Sequence, residues 1–308
     1  MPIEVTDTVV PISRLADDGN LCGECPLWNS AEQSLYWTDA GSGKLYRYVL
    51  PKQQHELILD NFEVNGFAFD ESGDLTLVNN QGVWLWNRSA NPAHAVSEVE
   101  GEKLRLNDCI ADPAGRLLGG SSFYDPSSEY EAGCLFMIES DGSGTILDEG
   151  FHLANGLGFS PDSKTLYFND SIARKVYCYQ YDVAKGRISD RRVFAELEPD
   201  AGLPDGLTVD ALGFVWCAEW YGGRISRFDP TGRLERRILV PAKQTSSLAF
   251  GGDALTDIFV TSAAKSEPTP VMPPHYDPVS GYFGGAVFRL NVGIVGRPEY
   301  RTRFRPRG

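Results

Sequence analysis

One pattern recurs six times along the 308 residues, and it restricts the fold more than any other feature of the chain. Four copies are plain, at 67–87, 109–123, 157–182 and 207–232. Each has a short apolar strand, a turn rich in Asp, Gly, Ser or Pro, a second strand, a polar turn and usually a third strand. Two copies are looser, at 25–48 and at 248–265, the latter resuming at 284–291 after an insertion. Within the units, runs such as Lys44-Leu45-Tyr46-Arg47-Tyr48 and Arg224-Ile225-Ser226-Arg227-Phe228 alternate with a period of two, and no stretch of helical length keeps a period of 3.6. Unit starts fall about 41 to 50 residues apart, the spacing of four-stranded blades. The expectation is an all-β chain, a six-bladed β-propeller that takes up residues 1–308 as one domain. Strands from both ends of the chain, 4–13 and 285–291, are expected to share the last blade, so that no long sheet edge stays open.

Charge and composition narrow the partners. The formal net charge is -14, which repels phosphate backbones and anionic membrane surfaces and argues against nucleic acid or membrane as a partner. The first twenty residues have no basic leader and no apolar run of signal-peptide length, and nowhere do about 18 apolar residues follow one another. Cys109, Cys134, Cys178 and Cys217 each sit alone in apolar strand-like runs, as small hydrophobes do, which fits a reducing compartment. A soluble, cytoplasmic protein is therefore expected. Cys22 and Cys25 have CxxC spacing, but no second Cys or His pair completes a zinc site and no βαβ pattern surrounds them.

The residue just before each first strand is polar in all six units. It reads Asn65-Gly66, Asn107-Asp108, Asn155-Gly156 and Asp205-Gly206 in four of them, Glu24 in the first and Ser246-Ser247 in the last. Any one Asn-Gly or Asp-Gly is an ordinary turn. In a propeller, however, equivalent ends of the innermost strands form a ring around one mouth of the central channel. Glu24, Asn155 and Asp205 would offer two carboxylates and an amide oxygen there, a hard set suited to one divalent ion, with waters completing the coordination. Two carboxylates so placed without a cation would raise each other's pKa. Strand-like alternation in Arg105-Leu106-Asn107 aims Arg105 and Asn107 to the same side, where Asn107 would touch the metal site and Arg105 would reach outward toward a bound ligand, although Arg105 alone could equally be an inter-blade salt bridge.

In these motifs the chain resembles the gluconolactonase and regucalcin (senescence marker protein) group, which also takes in luciferin-regenerating enzymes. The resemblance lies in GECPLW (23–28), RLNDCIADPAGRLLGG (105–120), NGLGFSPD (155–162), PDGLTVDALGFVW (204–216), GGRISRFDP (222–230) and LAFGG (248–252), in order along nearly the whole chain. It implies a six-bladed propeller with metal ligands at Glu24, Asn155 and Asp205 and substrate contacts from Arg105 and Asn107. It also implies a further substrate carboxylate, for which Asp125 is the nearest candidate. Where the group has GEGP this chain has GECP, so Cys25 stands beside a ligand and is expected to narrow the mouth or tune the metal. The Pro-rich stretch 264–284 is expected near the mouth, with His275 and Tyr276 beside the substrate.

The activity that follows is opening of a sugar (aldono) lactone to its acid by metal-assisted hydrolysis. Asp205 would act as general base, and Arg105 and Asn107 would orient the sugar hydroxyls. Calcium is the leading ion, with Mn, Zn, Mg or Fe as alternatives that an oxygen set also accepts. Neither a GxSxG elbow nor an HExxH pair is present. Two other readings stay open: hydrolysis of another ester or an organophosphate by the same apparatus, and a non-enzymatic calcium-binding propeller. The sugar and the oligomeric state are not determined by the sequence.

Overall fold

The structure is a computed structural model that describes residues 7–121, 133–265, 269 and 271–305. Six sheets follow one another as the blades of a β-propeller, each with four antiparallel strands, and blade 5 carries a fifth strand on its outer edge. Among the described residues the helical content is a single 3₁₀ turn, Leu50–Lys52. The innermost strands are Gly23–Asn29, Gly66–Phe69, Leu106–Ala111, Ala154–Phe159, Leu203–Val209 and Thr245–Gly251, one in each of blades 1 to 6. Each packs against the innermost strands of both neighbouring blades, which closes the ring.

The hydrophobic core is divided among the seams between blades. Six apolar clusters are present, one at each seam: Phe67, Leu77 and Trp86 of blade 2 against Tyr36 and Leu45 of blade 1, for example, or Trp216 and Ile225 of blade 5 against Phe250 and Phe288 of blade 6. A blade is therefore covered on both faces. This is why second strands such as Ser34–Asp39 and Val215–Trp220 are buried almost throughout rather than alternating.

Both ends of the chain close the ring, with a shift from the expected residues. Ile12–Asp17 is the outer strand of blade 6, paired antiparallel with Ala286–Asn291. The expected 4–13 stretch is thus placed too early. Its described part includes Asp7–Thr8, which runs parallel to Leu234–Leu239 on the outer edge of blade 5. Beyond blade 6 the chain crosses the rear of the propeller as a strap. Val295 O accepts from Ala211 N in blade 5, Arg297 Nη1 donates to Phe159 O in blade 4, Thr302 N donates to Phe69 O in blade 2 and Arg303 N donates to Gly115 O in blade 3. Glu299 and Tyr300 of this strap line the small rear cavity of the channel together with Cys25, Phe67 and Leu157.

Candidate functional site

At five of the six innermost strands the pairing slips at the polar position. Register shifts fall between Glu24 and Leu27, Leu106 and Asp108, Asn155 and Leu157, Pro204 and Leu207, and Thr245 and Leu248. A bulge bends the strand and re-aims a side chain out of the pleat, and here it turns polar residues toward the mouth. Gly156 shows the constraint in backbone terms: its φ is +31°, and a Cβ added to it would lie 2.3 Å from Asp205 O.

A cavity of about 630 Å³ opens at this end of the channel. Glu24, Asn65, Asn107, Asn155 and Asp205 line it, and so do Arg105 and Asp108. Five of the six ring positions therefore converge. The sixth does not: Ser246 Oγ turns aside to Gly23 O and to Thr261 Oγ1 at 3.0 Å, and Ser247 lines the rear cavity. Asp125 lies outside the described residues.

Hydrogen bonds hold the amides in defined orientations. Asn107 Nδ2 donates to Ala154 O at 2.9 Å and to Asn155 Oδ1 at 2.6 Å. Asn155 Nδ2 donates to Ser171 Oγ at 2.8 Å, and Asn169 Nδ2 donates to Asp205 O at 2.5 Å. Asn107 thus has protein acceptors for both its amide hydrogens, and Asn155 gives one of its own to Ser171.

The cavity is strongly acidic. Enclosure by the protein, then the charge of Asp108, pushes Glu24 up to about 8. Asp205 is raised well above the usual carboxylate range by burial, then by Glu24 and Asp108. Asp108 itself is pushed up to about 6 by burial, against the hydrogen bonds it accepts from the backbone of Cys109 and Gly156. Three carboxyl groups thus compete for the same space, the situation a divalent cation relieves. Among the described residues no three His, Cys, Asp or Glu side chains come together to hold an ion by themselves. A ligand set here needs the amide oxygen of Asn155 beside Glu24 and Asp205. The donor chemistry fits a hard cation: carboxylate and amide oxygens, with room in the cavity for waters.

Residues 22–264 match the family model described as the SMP-30/gluconolactonase/LRE-like region. The protein belongs to this family. A pentonolactonase of Haloferax volcanii is 34% identical over 294 residues, covering 96% of this chain and 99% of the relative. A regucalcin of Danio rerio is 30% identical over 302 residues, covering 94% and 98%. Among solved structures, a calcium-binding regucalcin of Agrobacterium tumefaciens superposes with a TM-score of 0.83 at 25% identity, over 97% of this chain and 100% of that one.

In this member of the SMP-30/gluconolactonase family Cys25 does not narrow the mouth as expected. Its backbone has a φ of 47°, a left-handed conformation that a glycine takes without strain. Its thiol points away into the seam with blade 2, where Sγ donates to Phe67 O at 3.5 Å and accepts from Phe67 N at 3.4 Å. The cysteine at the mouth is Cys22, which lines the cavity. Burial, then Glu24 and Asp205, pushes its thiol up, which keeps it neutral. The insertion does reach the mouth, but through Lys265 and Thr269. His275 and Tyr276 are not in the cavity wall, and the Tyr276 ring packs 4.5 Å from that of Tyr221. Sequence reasoning passed over Asp108, although the Asn107-Asp108 pair held its signal. It also passed over Ser171 and Trp220, which lie at the ends of second strands where no motif marks them.

Proposed function

We propose that this protein is a lactonase that opens sugar lactones to their acids with one divalent cation held by Glu24, Asn155 and Asp205. The observation that carries the reading is the convergence of these three residues with Arg105 and Asn107 in one acidic cavity, in a chain that matches a pentonolactonase over nearly its full length. A bound divalent ion would neutralise the acidic cluster, polarise the lactone carbonyl and make a water easier to deprotonate. Asp205 takes the proton from the attacking water as general base. The guanidinium of Arg105 and the amide of Asn107, whose hydrogens are committed to Ala154 and Asn155, orient the sugar hydroxyls above the acidic floor. Trp220, Leu153 and Leu203 give the cavity an apolar wall that suits the carbon face of a sugar ring.

Calcium is the first ion to supply, because the Agrobacterium neighbour is described as calcium-binding, and Mn²⁺, Zn²⁺, Mg²⁺ and Fe²⁺ follow. Pentonolactones are the first substrates, given the Haloferax relative. The test is acid release from xylono-, arabinono-, galactono- and gluconolactones by metal-stripped and metal-supplied protein, alongside Asp205→Ala. Expected are metal-dependent turnover and a loss of about 10²-fold or more in the variant. Hydrolysis of every lactone at the spontaneous rate with every metal would overturn the reading.

A further inference from the structure

The polar ring also stitches the blades together, and the stitching is done in two ways. Asn65 Nδ2 donates to Leu106 O in the next blade at 3.0 Å, Asn107 Nδ2 donates to Ala154 O at 2.9 Å, and Ser246 Oγ donates to Gly23 O. Each acceptor is the residue just before the next ring position. At Glu24 and Asn155 the ring residue is relieved of this duty. Thr38 Oγ1 reaches Val64 O at 2.6 Å in place of Glu24, and Ser171 Oγ reaches Pro204 O at 2.6 Å in place of Asn155. Two of the three proposed ligands are therefore positions where a neighbouring hydroxyl closes the seam.

Ser171 on one side and Asn107 on the other set which way the Asn155 amide faces. A hydroxyl carries one hydrogen, and a backbone carbonyl can only accept. The Ser171 hydrogen is committed to Pro204 O, so Ser171 Oγ is an acceptor toward Asn155, and the atom facing it must be the NH₂ group. The Asn155 oxygen is then turned the other way, to the side where Asn107 Nδ2 meets it at 2.6 Å. Ser171 is itself held in place: it is 2% exposed, and its N–H donates to Leu153 O at 3.0 Å. The polarity starts at a fixed peptide carbonyl in blade 5 and ends on a proposed ligand oxygen in blade 4.

We infer that Ser171 is a positioning residue of the cation site, which keeps the Asn155 oxygen turned toward the cavity by closing the seam between blades 4 and 5 in its place. The inference rests on the proposed role of Asn155 as a ligand. Hydrogen-bond partners of metal ligands are commonly worth about 10- to 100-fold in metal affinity. Ser171→Ala should weaken Ca²⁺ and Mn²⁺ binding by about tenfold or more in calorimetric titrations of chelator-stripped protein, and Ser171→Thr should restore most of the affinity. The discriminating arm puts Ser171→Ala into an Asn155→Asp background. A carboxylate presents oxygen whichever way it faces, so the loss there should shrink to about threefold or less, a coupling that mere packing would not produce. Thermal unfolding in chelator identifies any variant that fails to fold, and in that event Ser171→Thr against wild type carries the comparison, near-equal affinities being expected. Ca²⁺ and Mn²⁺ affinities of Ser171→Ala within threefold of wild type would overturn the inference, and so would equal losses in both backgrounds or a Thr variant as weak as a deletion of the hydroxyl. Absence of cation binding by the wild-type protein would instead bring down the metal reading itself, and the positioning role with it.

Discussion

Glu24 keeps its proton far above the ordinary carboxyl range because the cavity that could use its charge also strips away its water and sets Asp108 against it. In the metal-free protein the folded state holds that proton up to about pH 8, while the unfolded chain releases it near 4.5. Protons are then bound more tightly by the folded state, so stability is greatest below the unfolded value and falls as pH rises through this window. Asp108, raised to about 6, acts in the same direction. The expected outcome is a melting temperature in chelator that falls by several degrees between pH 5.5 and 8, with Ca²⁺ or Mn²⁺ recovering more at pH 8 than at 5.5 because the cation displaces protons. A flat profile in chelator would contradict the crowding of these carboxyls. Cys25 makes the opposite point about a single residue: it stands next to a proposed ligand, yet its thiol serves the seam. Cys25→Gly should therefore leave lactone turnover within about twofold of wild type, since the change removes left-handed strain as well as a buried thiol.

At the scale of elements, the bulged starts of the innermost strands convert a repeating strand into a site. At Glu24, Asn155 and Asp205 the pairing with the second strand slips, and these residues line the channel mouth. Gly156 is a close approach at one of these points and has a positive φ as well. Gly156→Ala would press a methyl group against Asp205 O and Asn169 Nδ2 at a positive φ, and should cost about 1–3 kcal/mol of stability. It should also weaken divalent-cation binding, because Asn155 and Asp205 are the groups that must move apart. Chemical denaturation and a calcium titration check the two effects. Full stability with unchanged binding would show that the contact relaxes without cost.

Over the whole molecule, the strap at 292–305 ties together blades that the ring alone joins only to their neighbours. Its anchor is Asp70, 3% exposed, whose carboxylate accepts from Thr302 Oγ1 at 3.1 Å, Phe304 N at 3.0 Å and Arg305 Nη1 at 3.2 Å. Burial would raise this group, but the hydrogen bonds from Ser72, Phe304 and Arg305 outweigh it and hold the pKa below its ordinary value. The stabilisation is present above the unfolded carboxyl range and is lost as pH falls through the lowered value. Asp70→Ala should lower stability by about 2–3 kcal/mol, as removal of a charged partner from a buried network does. Metal affinity should be unchanged, because the anchor lies at the rear of the channel. Equilibrium unfolding read beside a Ca²⁺ titration tests both halves of this statement.

The architecture was legible in the sequence because it is written locally: strand and turn chemistry repeats, and a repeat of blade length closes into a propeller with few alternatives. The polar ring was legible for the same reason, since Glu24, Asn65, Asn107, Asn155 and Asp205 occupy one place in the repeat. What needed the tertiary structure were properties of pairs of blades. Ser246 obeys the same local rule, yet turns into a seam because Gly23 O waits there. Cys25 turns from the mouth because Phe67 of blade 2 receives it. The strap crosses the rear face because Asp70 and Gly115, far away in the sequence, present partners to it. Local patterning determined which residues could reach the mouth; packing between distant segments decided which way each side chain faces.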